Sequence, residues 1–122
     1  TDLTIIATGT MVSVSLDSAD LLAQSGIQAR VINMHTLKPT DESTILAAAR
    51  ETGAIVTAEE HYIHGGLGSI VGQVVGQHHP VPLEMVAIQG YTGSGKGEEL
   101  MAECGLTPEN LMKASQRAVR RK

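Results

Sequence analysis

The densest group of chemistry-bearing side chains is Glu59, Glu60, His61 and His64, set between an apolar run and a glycine-rich stretch. Carboxylates beside imidazoles are what a metal centre or a proton-transfer site needs. The H-x-x-H spacing of His61 and His64 falls on a segment read as loop, with no second ligand pair following, so a catalytic zinc site is not expected. Side chains that pin the loop, or present it to another domain, are the expectation for this group. His78 and His79 precede Pro80 in a connection, and Cys104 sits beside Glu103 with nothing evident to lower its thiol pKa. The order of residues suggests no Ser, His and Asp constellation, and no catalytic residue is assigned.

Two glycine-rich loops could receive an anion. Gly65-Gly66-Leu67-Gly68-Ser69-Ile70-Val71-Gly72 has the spacing G-x-G-x-x-x-G, follows the third strand, and lacks the acidic residue that ends the next strand about 20 positions on in a dinucleotide site. Gly90 to Gly97 comes within one residue of a phosphate-binding P-loop, but Gly97 stands where a Ser or Thr must hold Mg²⁺. ATP hydrolysis is therefore not expected. Passive anion binding through Gly93, Gly95 and Lys96 is kept as a candidate, with N–H groups and the lysine charge as its means. In the first loop, Gly66 and Gly68 are read as turn-formers. Gly72 and Gly76 are read as a smooth ridge for a close neighbour.

The elements that must position these loops alternate strand and helix. Leu3 to Thr8 reads as a central strand covered on both faces. Thr10 can cap a helix to about Gln24 with Val12, Leu16, Ala19 and Ala23 on its inner face, stopped at Gly26. Gln28 to Met34 is a second strand. After Pro39, Thr40 can cap a helix with Ile45, Leu46 and Ala49 inward, closed by Gly53. Ala54 to Ala58 is a third strand, Glu59 to Gly68 a polar loop, and the next helix buries Ile70, Val71, Val74 and Val75. Val81 to Ile88 is a fourth strand whose pairing Pro82 delays. A short helix ends near Glu103, Gly105 stops it, and Thr107-Pro108-Glu109 starts a last helix with Leu111, Ala114 and Ala118 inward. The fold class expected is α/β: a three-layer α/β/α domain on a mostly parallel sheet of four to five strands, as one domain over 1–122.

Bulk properties narrow the function. A net charge of −4 argues against a DNA-coating surface, and the basic residues Arg117, Arg120, Arg121 and Lys122 suit the negative end of a final helix. No nucleic-acid partner is expected. No apolar run reaches membrane-spanning length, and no membrane partner is expected. One cysteine permits no intrachain disulfide, which fits a reducing cytoplasm. The chain opens at Thr1 without a signal-peptide pattern, so a fragment boundary is expected there.

Three stretches carry a resemblance. Val56-Thr57-Ala58-Glu59-Glu60-His61 followed by Gly65-Gly66-Leu67-Gly68-Ser69 resembles the VT-x-EEH…GGLGS stretch of the C-terminal domain of transketolases made as two polypeptides. Ser94-Gly95-Lys96, Glu98-Glu99-Leu100 and Gly105-Leu106-Thr107-Pro108-Glu109-Asn110-Leu111 resemble the S-G-K…EL…GLT-x-E ending of that domain. The opening Asp2 to Thr10 resembles its start. Deoxyxylulose-phosphate synthase and, more loosely, the β subunit of 2-oxo acid dehydrogenases share the first stretch. Tyr91-Thr92-Gly93 departs from the family's Phe-Gly and variable residue.

The resemblance implies a structural and dimerising C-terminal domain of a thiamine-diphosphate-dependent enzyme of the pentose phosphate pathway type, transferring two-carbon ketol units between sugar phosphates. The chemistry then belongs to pyrophosphate- and pyrimidine-binding domains, the implied partners, which hold thiamine diphosphate and Mg²⁺. No cofactor is expected on this domain, and the chain alone is expected to be inactive. His61, His64, Gly65, Gly66, Gly68 and Ser69 become candidates for a domain or subunit contact. A homo-oligomer is expected. The implied family also has an antiparallel strand before the opening, so the edge formed by the second strand is expected to lack a cover, with strand order second, first, third, fourth. The alternatives are a free-standing module binding an anion or nucleotide, and the synthase's C-terminal domain.

Overall fold

A computed structural model describes residues 1–9, 11–34, 41–62, 66–88 and 107–122, with 60–62 and 88 described by their backbone alone. The order is β1 (Leu3–Ala7), α1 (Met11–Gln24), β2 (Ala29–Asn33), α2 (Glu42–Thr52), β3 (Ile55–Tyr62), α3 (Leu67–His78), β4 (Leu83–Ile88) and α4 (Pro108–Arg120). Four parallel strands stand in the order β2-β1-β3-β4. That is the expected order, and it leaves β2 at one edge with no outer strand among the described residues. The two inner strands carry the apolar runs, because a strand covered on both faces must be apolar on both.

One face of the sheet packs Leu3, Ile5, Val56 and Ala58 against Met11 and Leu22 of α1 and Leu111, Ala114 and Ala118 of α4. The other packs Ile6 and Ile55 against Ile45, Ala48 and Ala49 of α2 and Leu67, Val71, Val74 and Val75 of α3. This is the three-layer α/β/α arrangement. Gly26 and Gly53 end α1 and α2 with φ of 86° and 77°, a region that residues with a Cβ rarely adopt. No described helix is long and apolar enough to cross a membrane.

Three expectations need correction. In α1 the buried face is Met11, Ser15, Ser18 and Leu22, while Leu16 is 53% exposed. The apolar residues misled because the inward face carries serines. Ser15 hides its hydroxyl by donating to the Met11 carbonyl at 2.6 Å, as Ser115 of α4 does to Leu111 at 2.8 Å. The N-cap of α2 is Asp41, with Thr40 outside the described residues. The third strand does not end at Ala58: β3 continues through Glu59, Glu60 and His61 to Tyr62, which pairs with Ile88. Three residues there stand opposite Ala87 alone, a bulge that breaks the ladder and re-aims the chain. Pro82 does delay β4, which begins pairing at Leu83 opposite Ile55. The short helix expected before Gly105 lies outside the described residues.

Candidate functional site

In a parallel α/β sheet the strands deliver their carboxyl ends to the start of the helices, where backbone N–H groups are unpaired. The bulge in β3 falls at this end, and its first residue is Glu59. That side chain is 1% exposed. Its Oε2 accepts from the Leu67 N–H at 2.7 Å and its Oε1 from the Gly68 N–H at 3.2 Å. Leu67 and Gly68 open α3, and the Gly66 N-cap has no side chain with which to serve them. A carboxylate from the preceding strand thus replaces the missing cap, and the positive end of the helix stabilises its charge.

The glycines around it are fixed by space. A Cβ on Gly66 would collide with the Glu59 carboxylate, lying 2.7 Å from its Cδ. A Cβ on Gly68 would lie 2.8 Å from Met85 Cγ and 3.1 Å from Thr57 Oγ1. Gly66, Leu67 and Gly68 are all buried. Close approach is therefore required at these two positions, not along the ridge expected at Gly72 and Gly76. A Cβ on Gly72 would make an ordinary 3.5 Å contact with Leu83, and one on Gly76 would meet nothing.

Of the residues singled out from sequence, the structure brings Gly66, Gly68 and Ser69 together in the first turn of α3, with Ser69 half-buried. His61 lies on the bulged end of β3. His64, Gly65, Gly93, Gly95 and Lys96 lie outside the described residues. By composition Glu59 groups with its neighbours as a loop residue, which misses its separate role. The signal was there, in one acidic residue at the end of an apolar strand, eight positions before the start of a helix that has glycine for its cap.

Each Glu59 oxygen accepts from a backbone N–H at the start of α3, so this carboxylate ties the helix start to the end of β3. The buried hydroxyls of Ser15, Thr52 and Ser115 donate to carbonyls of their own helices. Among the described residues no three His, Cys, Asp or Glu side chains are placed to hold a metal ion. The described geometry is that of a fixed helix start, with the β3 carboxylate tied to the first N–H groups of α3.

The family model described as "Transketolase, C-terminal domain" matches residues 1–111. The 6-deoxy-6-sulfo-D-fructose transketolase subunit SqwH of Clostridium sp. (strain MSTE9) is 43% identical over 99% of this chain and 38% of its own length. One of the subunits of the apulose-4-phosphate transketolase of Phocaeicola vulgatus is 41% identical over 94% of this chain and 37% of its own length. A solved structure described as a split gene transketolase, inactive beta4 tetramer, superposes with a TM-score of 0.95 at 40% identity, covering 99% of this chain and 40% of that one. The chain spans about two fifths of the length of each of these proteins. It belongs to the transketolase C-terminal domain family.

Proposed function

We propose that the chain is the structural and assembly domain of one subunit of a split transketolase-like enzyme, supporting ketol transfer between sugar phosphates while other domains do the chemistry. The observation that carries this reading is the full-length match to subunits of which the chain is only two fifths. Those relatives favour a split transketolase over deoxyxylulose-phosphate synthase. Thiamine diphosphate with Mg²⁺ is the cofactor such an enzyme would use. Among the described residues no three His, Cys, Asp or Glu side chains are placed to hold its Mg²⁺, and the buried Glu59 carboxylate is engaged with backbone N–H groups of α3. The partners are the pyrophosphate- and pyrimidine-binding domains of the same assembly, in the cytoplasm. The β2 edge, which has no outer strand among the described residues, and the β3–α3 segment are the contact surfaces, and a homo-oligomer forms through them.

The test is to purify the polypeptide carrying this chain together with the product of the adjacent reading frame, then assay ketol transfer with thiamine diphosphate and Mg²⁺. Deleting residues 1–122 should abolish the native oligomer in sedimentation and lower activity with it. Full activity and an unchanged oligomer after the deletion would overturn the reading, as would micromolar thiamine diphosphate binding by the isolated chain.

A further inference from the structure

Between the start of β4 and the end of α4, at the edge of the sheet opposite Glu59, a groove of about 280 Å³ is lined by Glu84, Arg117, Arg120 and Arg121. The arginines stand at i, i+3 and i+4 spacing on α4 and its cap, which puts them on one face. Glu84 orients two of them. Its Oε1 accepts from Arg117 Nε at 3.0 Å, and its Oε2 accepts from Arg121 Nη2 at 2.7 Å. Arg121 Nη2 also donates to the Leu83 carbonyl at 2.9 Å. Among the described residues Arg117 keeps both terminal nitrogens unpaired, Arg121 keeps Nε and Nη1, and Arg120 has no ion-pair partner.

Three guanidiniums against one carboxylate leave a surplus of two positive charges in the groove, on a chain whose net charge is −4. The end of α4 contributes about half a negative charge, too little to cancel that surplus. An anion that entered would meet planar donors already held in direction by Glu84, so less side-chain entropy is lost on binding. A monocarboxylate would leave one charge uncompensated. A phosphate monoester carries about −1.5 to −2 and presents three acceptor oxygens to the three guanidiniums. We infer that the groove is a binding site for the phosphate group of a small phosphorylated molecule, with Arg117, Arg120 and Arg121 as its ligands and Glu84 as the residue that positions two of them. The site lies away from Glu59 and the start of α3 and does not depend on the assembly reading.

Arginine Nε–H resonances of the chain, titrated with inorganic phosphate, glucose 6-phosphate, acetate and sodium chloride at matched ionic strength, read the site directly. Saturable shifts at all three arginines with phosphate or glucose 6-phosphate are expected. Tighter binding of glucose 6-phosphate than of inorganic phosphate identifies an organic phosphate as the ligand; equal binding overturns that part of the assignment and leaves a site for the free anion. R120A should weaken phosphate binding about tenfold while leaving the fold intact, because Arg120 is exposed and unpaired, and R120K should recover only part of the loss. Equal shifts with acetate or chloride, or phosphate binding unchanged in R120A, would overturn the site.

Discussion

The two ends of the sheet are held by different means. At the carboxyl edge one buried carboxylate and two buried glycines fix the start of α3, and each contact depends on the others. At the amino edge the chain is tied by many separate links. Thr4 and Thr52 share a hydroxyl bond of 2.9 Å between β1 and α2, Asp2 accepts from the Gln28 N–H, Lys122 donates to the Asp2 carbonyl, and Glu84 pairs with Arg117 and Arg121. A concentrated device defines one conformation and fails at a single substitution. Distributed surface links fail gradually.

The sharpest way to break the contrast is Glu59→Ala, which strands the Leu67 and Gly68 N–H groups away from water and removes a charge-assisted pair. A loss of about 3 kcal/mol is expected, read as a lower urea midpoint at unchanged slope. Glu59→Gln should lose roughly half as much, since an amide oxygen can still accept. A loss within about 0.5 kcal/mol for Glu59→Ala would mean that the carboxylate is incidental.

Next in size is Gly66→Ala, expected to destabilise by about 2 kcal/mol through collision with the Glu59 carboxyl. In the Glu59→Ala background the same change should cost far less, because the colliding group is gone. Strict additivity of the two would refute the coupling.

Glu84→Ala probes the amino edge. Its partners are half exposed, so each ion pair contributes under about 1 kcal/mol and is screened by salt. The difference from the parent chain should shrink towards zero near ~1 M sodium chloride, where the Debye length is about 3 Å. A loss as large as that of Glu59→Ala, or one insensitive to salt, would erase the distinction between the edges.

How much was legible in the sequence follows the same division. The parallel sheet and the stops at Gly26 and Gly53 were readable, because apolar runs and glycines after helical periods report local physics, whereas the strand order came with the family resemblance. Leu111, Ala114 and Ala118 were correctly placed inward, since α4 is strongly two-faced. The inner face of α1 was not readable: Ser15 and Ser18 look like surface residues until a partner helix covers them. The extension of β3 was hidden for a related reason. Glu59, Glu60 and His61 read as loop by composition, and only the N–H groups of α3, eight residues away in sequence, make a buried Glu59 tolerable. The candidate site was thus located by its glycines, while the group that organises it depends on a tertiary contact.

The smallest effect comes from a second carboxylate at a helix start, which separates burial from capping. Asp41 caps α2, and it does so in the open: Thr44 Oγ1 donates to it at 2.7 Å, the Thr44 N–H at 3.1 Å and Ser43 Oγ at 3.1 Å. The Thr44 hydroxyl, then the Thr44 N–H and the Ser43 hydroxyl, favour the charged form and hold its pKa below the usual aspartate value. A depressed folded pKa contributes stability that is complete above the unfolded value of about 3.9 and is lost as pH falls through the lower folded value. Asp41→Asn keeps an acceptor for the helix N–H but has no charge to titrate. The parent chain should therefore exceed the variant in thermal midpoint at about pH 6, and the gap should close on acidification below about pH 4. Water already solvates this cap, so the shift should be well below that of Glu59→Ala. A gap that stays constant between about pH 6 and pH 2.5 would show that Asp41 acts by shape and not by charge, and the difference between the two carboxylates would then be one of packing alone.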